Sequence, residues 1–150
     1  KNITQIDNKL FSFEVNIGEE TLRRTNLANS ISKNEKINLE KSLLIGDEIS
    51  GHFVYGHVDT TTTVNEIKEL ENSWEYYFEK KFNKNNKFIV EKGSISINGI
   101  SLTIAKVENY TFMISVIDHT FNHTNLKFLN KSDQVNIEFD YLARFIFNNE

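Results

Sequence analysis

Apolar residues along this chain recur mostly at every second position. Phe11, Phe13, Val15 and Ile17 form one such run, and Ile37 and Leu39 form another. Trp74, Tyr76 and Phe78 follow, then Phe112, Ile114 and Val116, then Val135, Ile137 and Phe139. Successive side chains of a strand point to opposite faces, so period-two runs predict half-buried β-strands, and their number predicts an all-β fold. The clearest element lies between Ser94 and Ile104, where Asn98-Gly99 separates two alternating arms. A type I′ turn needs positive φ at both central residues, which Asn and Gly tolerate, so this stretch predicts a β-hairpin. A two-residue turn sets Ile97 opposite Ile100. Ile95, Ile97, Ile100, Leu102 and Ile104 then share the buried face, and Ser94, Ser96, Ser101 and Thr103 the outer one. The same alternation puts Asn136, Glu138 and Asp140 on the outer face of their strand. Helical signals are few: a short helix is expected from Asn86 to Lys92, and another begins at Tyr141, with Leu142, Phe145 and Ile146 at helical spacing.

Comparing the chain with itself exposes a repeat. Phe13, Val15, Thr21, Thr25, Asn26 and Leu27 match Phe112, Ile114, Thr120, Thr124, Asn125 and Leu126 at a shift of 99, and Ile37-Asn38-Leu39-Glu40 matches Val135-Asn136-Ile137-Glu138 at a shift of 98. The shared unit is a strand, Thr-x3-Thr-Asn-Leu, a polar loop, and a strand reading β-branched-Asn-aliphatic-Glu. The second copy carries a long preface, with His57 and the hairpin, that has no counterpart in the first. The chain also opens on Lys1 rather than Met. Together these predict that roughly forty residues of the first copy precede residue 1. The boundary between copies is expected near His52, giving residues 1–51 as the C-terminal part of a first unit and 52–150 as a second unit.

Composition narrows the classes. With 17 Lys and Arg against 21 Asp and Glu spread along the whole chain, net charge −4, no basic face gathers that would hold a nucleic acid. No apolar run approaches the roughly 18 residues of a membrane helix, and no charged n-region leads into an apolar stretch. The chain has 0 Cys, so it forms no disulfide, which suits a cytoplasmic location. His52, His119 and His123 lack ligand spacing to a second His, Cys or carboxylate and read as structural, so no metal is expected. On the residues alone, Ser101 and Thr103 are solvated strand positions, Lys92 is surface charge, and Asp140 is a helix N-cap. The two Thr-Asn-Leu turns read as architectural.

Six ordered motifs resemble a known family. Glu20-Thr21-Leu22-Arg23-Arg24-Thr25-Asn26-Leu27, Ile37 to Leu43, Gly51-His52-Phe53-Val54-Tyr55-Gly56-His57-Val58-Asp59, Lys92-Gly93-Ser94-Ile95 through Asn98-Gly99-Ile100-Ser101-Leu102-Thr103, His119-Thr120, and Val135 to Asp140 are similar to the lumazine-binding repeats of riboflavin synthases. The resemblance implies tandem six-stranded Greek-key barrels, here with the first incomplete and a C-terminal helix begun. It implies a homotrimer without cofactor and, as a further partner, lumazine synthase. The implied ligands are 6,7-dimethyl-8-ribityllumazine and riboflavin. The implied reaction joins two lumazines: one gives a four-carbon unit to the other, yielding riboflavin and 5-amino-6-ribitylaminouracil.

The resemblance also assigns candidate site residues. His57, Ser101, Thr103 and Asp140 are the catalytic candidates, with His57 as proton shuttle. Binding would add Gly56, Val58, Lys92 and Leu102, a wall from Ile117 through Asp118 and His119 to Thr120, and in the first repeat the matching wall Asn16, Ile17, Gly18, Glu19, Glu20 and Thr21. The sequence departs from the family at Asp118, where proline is common, so a less rigid bend is expected there. The first repeat's own hairpin, with its cysteine, is not in this chain, which predicts binding with poor turnover. The alternative is a non-catalytic lumazine or flavin carrier on the same barrels.

Overall fold

The computed structural model describes residues 2–5 and 11–147. Its centre is a closed six-stranded barrel built entirely from residues 60–139. The strands are β3 (Thr60–Glu69), β4 (Ser73–Glu79), β5 (Ser94–Ile97), β6 (Ile100–Val107), β7 (Thr111–Ile117) and β8 (Gln134–Phe139). They close in the order β3-β4-β7-β6-β5-β8, every neighbouring pair antiparallel. The expected runs at 74–78, 112–116 and 135–139 are all barrel strands. The Asn98-Gly99 turn has φ of 50° and 82° and sets Ile97 opposite Ile100, as the hairpin signal required.

Inside the barrel, alternate residues of all six strands meet. Val64, Tyr76, Phe78, Ile95, Ile97, Ile104, Phe112, Ile114, Val116, Val135 and Ile137 are at most 1% exposed. Ile100 and Leu102 are only half-buried and pack on the rim of this cluster. Leu102, paired with Ile95, turns toward the core, the face on which alternation placed it.

Tyr76 carries a buried hydroxyl, which donates to the Leu126 carbonyl at 3.0 Å. Burial pushes this phenol up to about 12. Unfolded chain loses the proton near pH 10, so between pH 10 and about 12 the unfolded state binds fewer protons than the folded one, and stability falls as pH rises. Urea midpoints measured from pH 9 to 12 are expected to drop faster for the parent chain than for Tyr76→Phe. At neutral pH that variant loses about 1 kcal/mol, because the carbonyl is left without its donor.

Among the described residues, the chain before residue 60 forms no second barrel. Its described strands, β1 (Asn2–Gln5) and β2 (Phe11–Glu14), form a separate two-stranded sheet, followed by helices α1 (Glu19–Arg24) and α2 (Leu27–Ser32). Ile37 and Leu39, expected in a strand, lie in irregular chain and are 48% and 71% exposed. Alternation marks a strand only where another strand is present to pair with it. The helix expected over Asn86 to Lys92 is instead a 3-10 helix over Asn83–Phe88, while Lys92 sits in a turn with φ 67°. Two further helices are α3 (Asp118–His123) and α4 (Tyr141–Phe147), the latter where helical spacing placed it. Among the described residues no helix is long and apolar enough to cross a membrane. The parts of the two expected units at residues 1, 6–10 and 148–150 lie outside the described residues.

Candidate functional site

The outer face of β6, β5 and β8 gathers three of the four catalytic candidates, Ser101, Thr103 and Asp140, with Lys92 nearby. Registers place Ser101 beside Ser96 and Ser96 beside Glu138, one polar row across three strands. Thr103 pairs with Ser94, and one step beyond the Ile95–Phe139 pair lies Asp140, so a second row runs parallel to the first. Lys92 is exposed at the start of β5, its backbone N–H on the Ile104 carbonyl at 2.8 Å. The alternation that drives Ile95 and Ile97 inward is what aligns these hydroxyls outward.

This face is not open. Residues 51–57 cross it as a strap. The His52 backbone N–H donates to the Ser101 hydroxyl at 3.1 Å, and His52 Nδ1 lies 2.7 Å from the same oxygen. Further along, the Tyr55 N–H donates to Glu138 Oε1 at 2.8 Å. Ser96 and Glu138, expected on a solvated face, are consequently 2% and 6% exposed. Gly51 has φ 84°, and a Cβ there would collide with the Ser101 side chain, so only glycine lets the strap lie this close. His52, read from sequence as structural, is thus the residue that holds Ser101. The signal available was the doubled Gly-His at 51–52 and 56–57.

The strap ends in a second group. Gly56, His57, Val58 and Asp59 line one side of a cavity of about 460 Å³, and Thr21, Arg24, Thr25 and Leu27 of the first repeat line the other. Of the expected contacts, this cavity unites Thr21 with Gly56, His57 and Val58. Asp59 is fixed by two partners: its Oδ2 accepts the Phe139 N–H at 2.9 Å and the Arg144 guanidinium of α4. Beside His57 runs a row of aromatic rings, with Phe53 6.3 Å and His57 6.1 Å from Tyr55, Tyr141 5.8 Å from Tyr55, and Phe145 6.2 Å from Tyr141. Phe53, Tyr55, Tyr141 and Phe145 are all more than half exposed. Exposed, offset rings of this kind suit a flat heteroaromatic ligand.

Of the two expected walls, only Thr21 lines that cavity. Ile117 ends β7, and the antiparallel register of β6 on β7 runs Ser101 and Ile117 toward the same end of the barrel. Asp118 opens α3 and accepts from the Asn122 amide at 2.9 Å. The bend that proline makes elsewhere is here the first turn of a helix. Phe121 of α3 stacks on Trp74 with centroids 3.8 Å apart and planes 2° from parallel. His119 and His123 stack on each other at 4.3 Å, and Thr120 gives its carbonyl to Thr124. In the first repeat, Asn16 and Ile17 lead into Gly18, the residue before α1. Glu19 is exposed in the first turn of α1. Glu20 is paired with Arg23 and Arg24, which hold its carboxyl below the usual carboxylate range. Asp140 caps α4: its Oδ1 accepts the Leu142 N–H at 3.0 Å.

The chain matches the lumazine binding domain model over residues 55–140. It is 37% identical over 134 residues to a riboflavin synthase of Actinobacillus pleuropneumoniae, an alignment covering 89% of this chain and 61% of that protein. A riboflavin synthase of Schizosaccharomyces pombe is 35% identical over 143 residues, 95% of this chain and 68% of the relative. Among solved structures, LumP complexed with riboflavin superposes with a TM-score of 0.57 at 26% identity, covering 63% of this chain and 50% of that one. The chain thus spans about three-fifths of the first of these relatives, and on the matched domain, the ordered motifs and the closed barrel it belongs to the riboflavin synthase family of lumazine-binding proteins.

Proposed function

We propose that this chain is the lumazine-binding part of a riboflavin synthase, in which two molecules of 6,7-dimethyl-8-ribityllumazine become riboflavin and 5-amino-6-ribitylaminouracil. The observation that carries the reading is the two-row outer face of β5, β6 and β8. It keeps Ser101, Thr103, Lys92 and Asp140 together on one side of a closed barrel in a chain of this family. In this reading residues 1–51 are the end of a first repeat and 52–150 a second, and the reaction runs in the cytoplasm. The riboflavin held by the LumP neighbour supports a flavin-sized ligand here.

Holding two ring systems against one another supplies much of such a rate, because it replaces a bimolecular encounter with a fixed geometry. Thr103 and Ser101 offer hydroxyls to ring or side chain, Lys92 adds a charge, and His57 is placed to move the proton of the acidic C7 methyl. Ser101 becomes available only when the strap's His52 releases it, so ligand binding is coupled to strap displacement. Asp140 takes its part through the carboxylate oxygen that α4 does not use. The exposed apolar residues of α4, Leu142, Phe145 and Ile146, fit packing between subunits of a trimer.

The test is titration of the chain with 6,7-dimethyl-8-ribityllumazine, following ligand fluorescence and riboflavin by chromatography. Saturable binding is expected, weakened about tenfold by Thr103→Ala through loss of a hydrogen bond. Riboflavin formation abolished by His57→Ala would confirm the enzyme. Saturable binding without riboflavin in the full-length protein would instead favour a ligand carrier, and no binding would overturn the reading.

A further inference from the structure

His57 is placed to move a proton, yet among the described residues no group hydrogen-bonds its imidazole. A ring with that task is ordinarily oriented by a partner on its other nitrogen. The ring is exposed, and Gly56 just before it, with φ 76°, adds backbone freedom. Its position must therefore be set through its neighbours.

The residues two before and two after His57 are both held by one element. Tyr55 and His57 lie 6.1 Å apart with ring planes 22° from parallel, so they project from the same side of the segment. Tyr55 in turn meets Tyr141 of α4 at 5.8 Å. On the far side of His57, the Asp59 carboxylate accepts the Arg144 guanidinium of α4. Tyr141 and Arg144 stand three apart in α4, and residues at that spacing share a helix face. That face grips positions 55 and 59, with His57 midway between them.

α4 can act as a fixed point because both of its ends are anchored. Asp140 caps its start, and the Phe147 carbonyl at its other end accepts Lys87 Nζ at 2.5 Å. Ala143 and Phe147 pack against the core, Phe147 with its ring 6.4 Å from Phe88. The barrel holds the same segment from beneath, through the Tyr55 N–H on Glu138 and the Asp59 N–H on the Ile137 carbonyl at 2.9 Å. Those bonds fix the path of the chain, whereas the contacts of α4 hold the side chains that flank the imidazole.

We infer that Tyr141 and Arg144 are positioning residues for His57: through Tyr55 and Asp59, α4 fixes the imidazole beside the cavity it shares with Thr21. The inference rests on the reading of His57 as the proton shuttle. A functional group is held to productive geometry only where the residues around it are themselves locked, and a displacement of about 1 Å can cost a large factor in rate.

The test uses Tyr141→Ala, Arg144→Ala, Tyr141→Phe and Arg144→Lys in the full-length protein. Two quantities are read: the kinetics of riboflavin formation, and the carbon–proton resonances of the imidazoles, with that of His57 assigned by its loss in His57→Gln. Each alanine variant should lower kcat about tenfold with KM within about twofold, because a misplaced proton-transfer group costs rate and not ground-state binding. The His57 resonance should shift or broaden in both, and those of His119 and His123 on α3 should stay. Tyr141→Phe keeps the ring and Arg144→Lys keeps the cation, so both should restore most of the rate. Parent kcat with an unmoved His57 resonance in both alanine variants overturns the proposal. So does a lower kcat with that resonance unmoved, a rise in KM alone, or an equal shift at His119 and His123, the mark of a general loosening. Should Arg144→Ala fail to fold, Tyr141→Ala against Tyr141→Phe decides by the same criteria. The two readings fail separately: a parent protein that makes no riboflavin, or keeps its rate in His57→Gln, overturns the shuttle, and the resonances then decide alone whether α4 positions the ring.

Discussion

Phe78→Ala is expected to remove about 3–5 kcal/mol of stability, read as the shift of the urea midpoint at constant slope. Phe78 is fully buried, with its ring 5.4 Å from Phe112 and 6.3 Å from Tyr76. Phe112 in turn meets Phe82 at 6.2 Å, and Phe82 meets Phe139 at 5.3 Å edge-on. Deleting the ring forfeits its transfer free energy and leaves a hole at the junction of β4 and β7. The size of the loss depends on whether the surroundings can collapse into that hole. Here β4 is hydrogen-bonded along its length to β7 on one side and to β3 on the other, so its backbone has little freedom to move inward. A loss under about 1.5 kcal/mol would show that the barrel relaxes more readily than its closed ladder implies.

Asp59→Ala should cost about 2–4 kcal/mol and do so locally. Its carboxylate is 16% exposed and serves two donors, the Phe139 N–H and the 30%-exposed Arg144 side chain. Alanine strands both, a backbone donor at the end of β8 and a half-buried guanidinium on α4. Asp59→Asn retains a neutral acceptor for Phe139 but loses the ion pair, and about half the cost is expected. Hydrogen exchange should accelerate in α4 and at the C-terminal end of β8 before the barrel strands respond. Uniform acceleration across the barrel would mean instead that Asp59 supports the core as a whole. Because Asp59 follows His57 and Val58 directly, the same variants should also loosen the cavity shared with Thr21.

What sequence could and could not disclose follows from the range of the interactions involved. The hairpin at Asn98-Gly99 was legible because its turn chemistry and its alternation are both local. Phe112, Ile114, Val135 and Ile137 were legible because each strand's inward face is written in its own period. Ile37 and Leu39 carry the same period, yet a strand exists only with a partner, and no alternation states whether one is at hand. The burial of Ser96 and Glu138 was hidden for a similar reason: nothing in residues 94–97 or 134–139 reports that 51–57 will lie over them. The helix expected at 86–92 moved back to 83–88, where Asn86 Oδ1 accepts the Phe82 N–H and Phe88 turns into the core. Among the candidate site residues, the placement of Ser101, Thr103 and Asp140 along one sheet followed from local alternation. His52's hold on Ser101 depends on a crossing of irregular chain that no periodicity encodes.

The pairing of β3 with β8 governs how this chain can aggregate. Each barrel strand already has a neighbour on both sides, so residues 60–139 offer no unpaired ladder for a second molecule to extend. Growth by strand addition has two other places to begin. One is the β1–β2 ribbon, where each strand has a single partner among the described residues. The other is the apolar stretch containing Leu43, Leu44, Ile45 and Ile49, all more than half exposed. Charges introduced into either would slow fibre formation while leaving the barrel's melting unchanged.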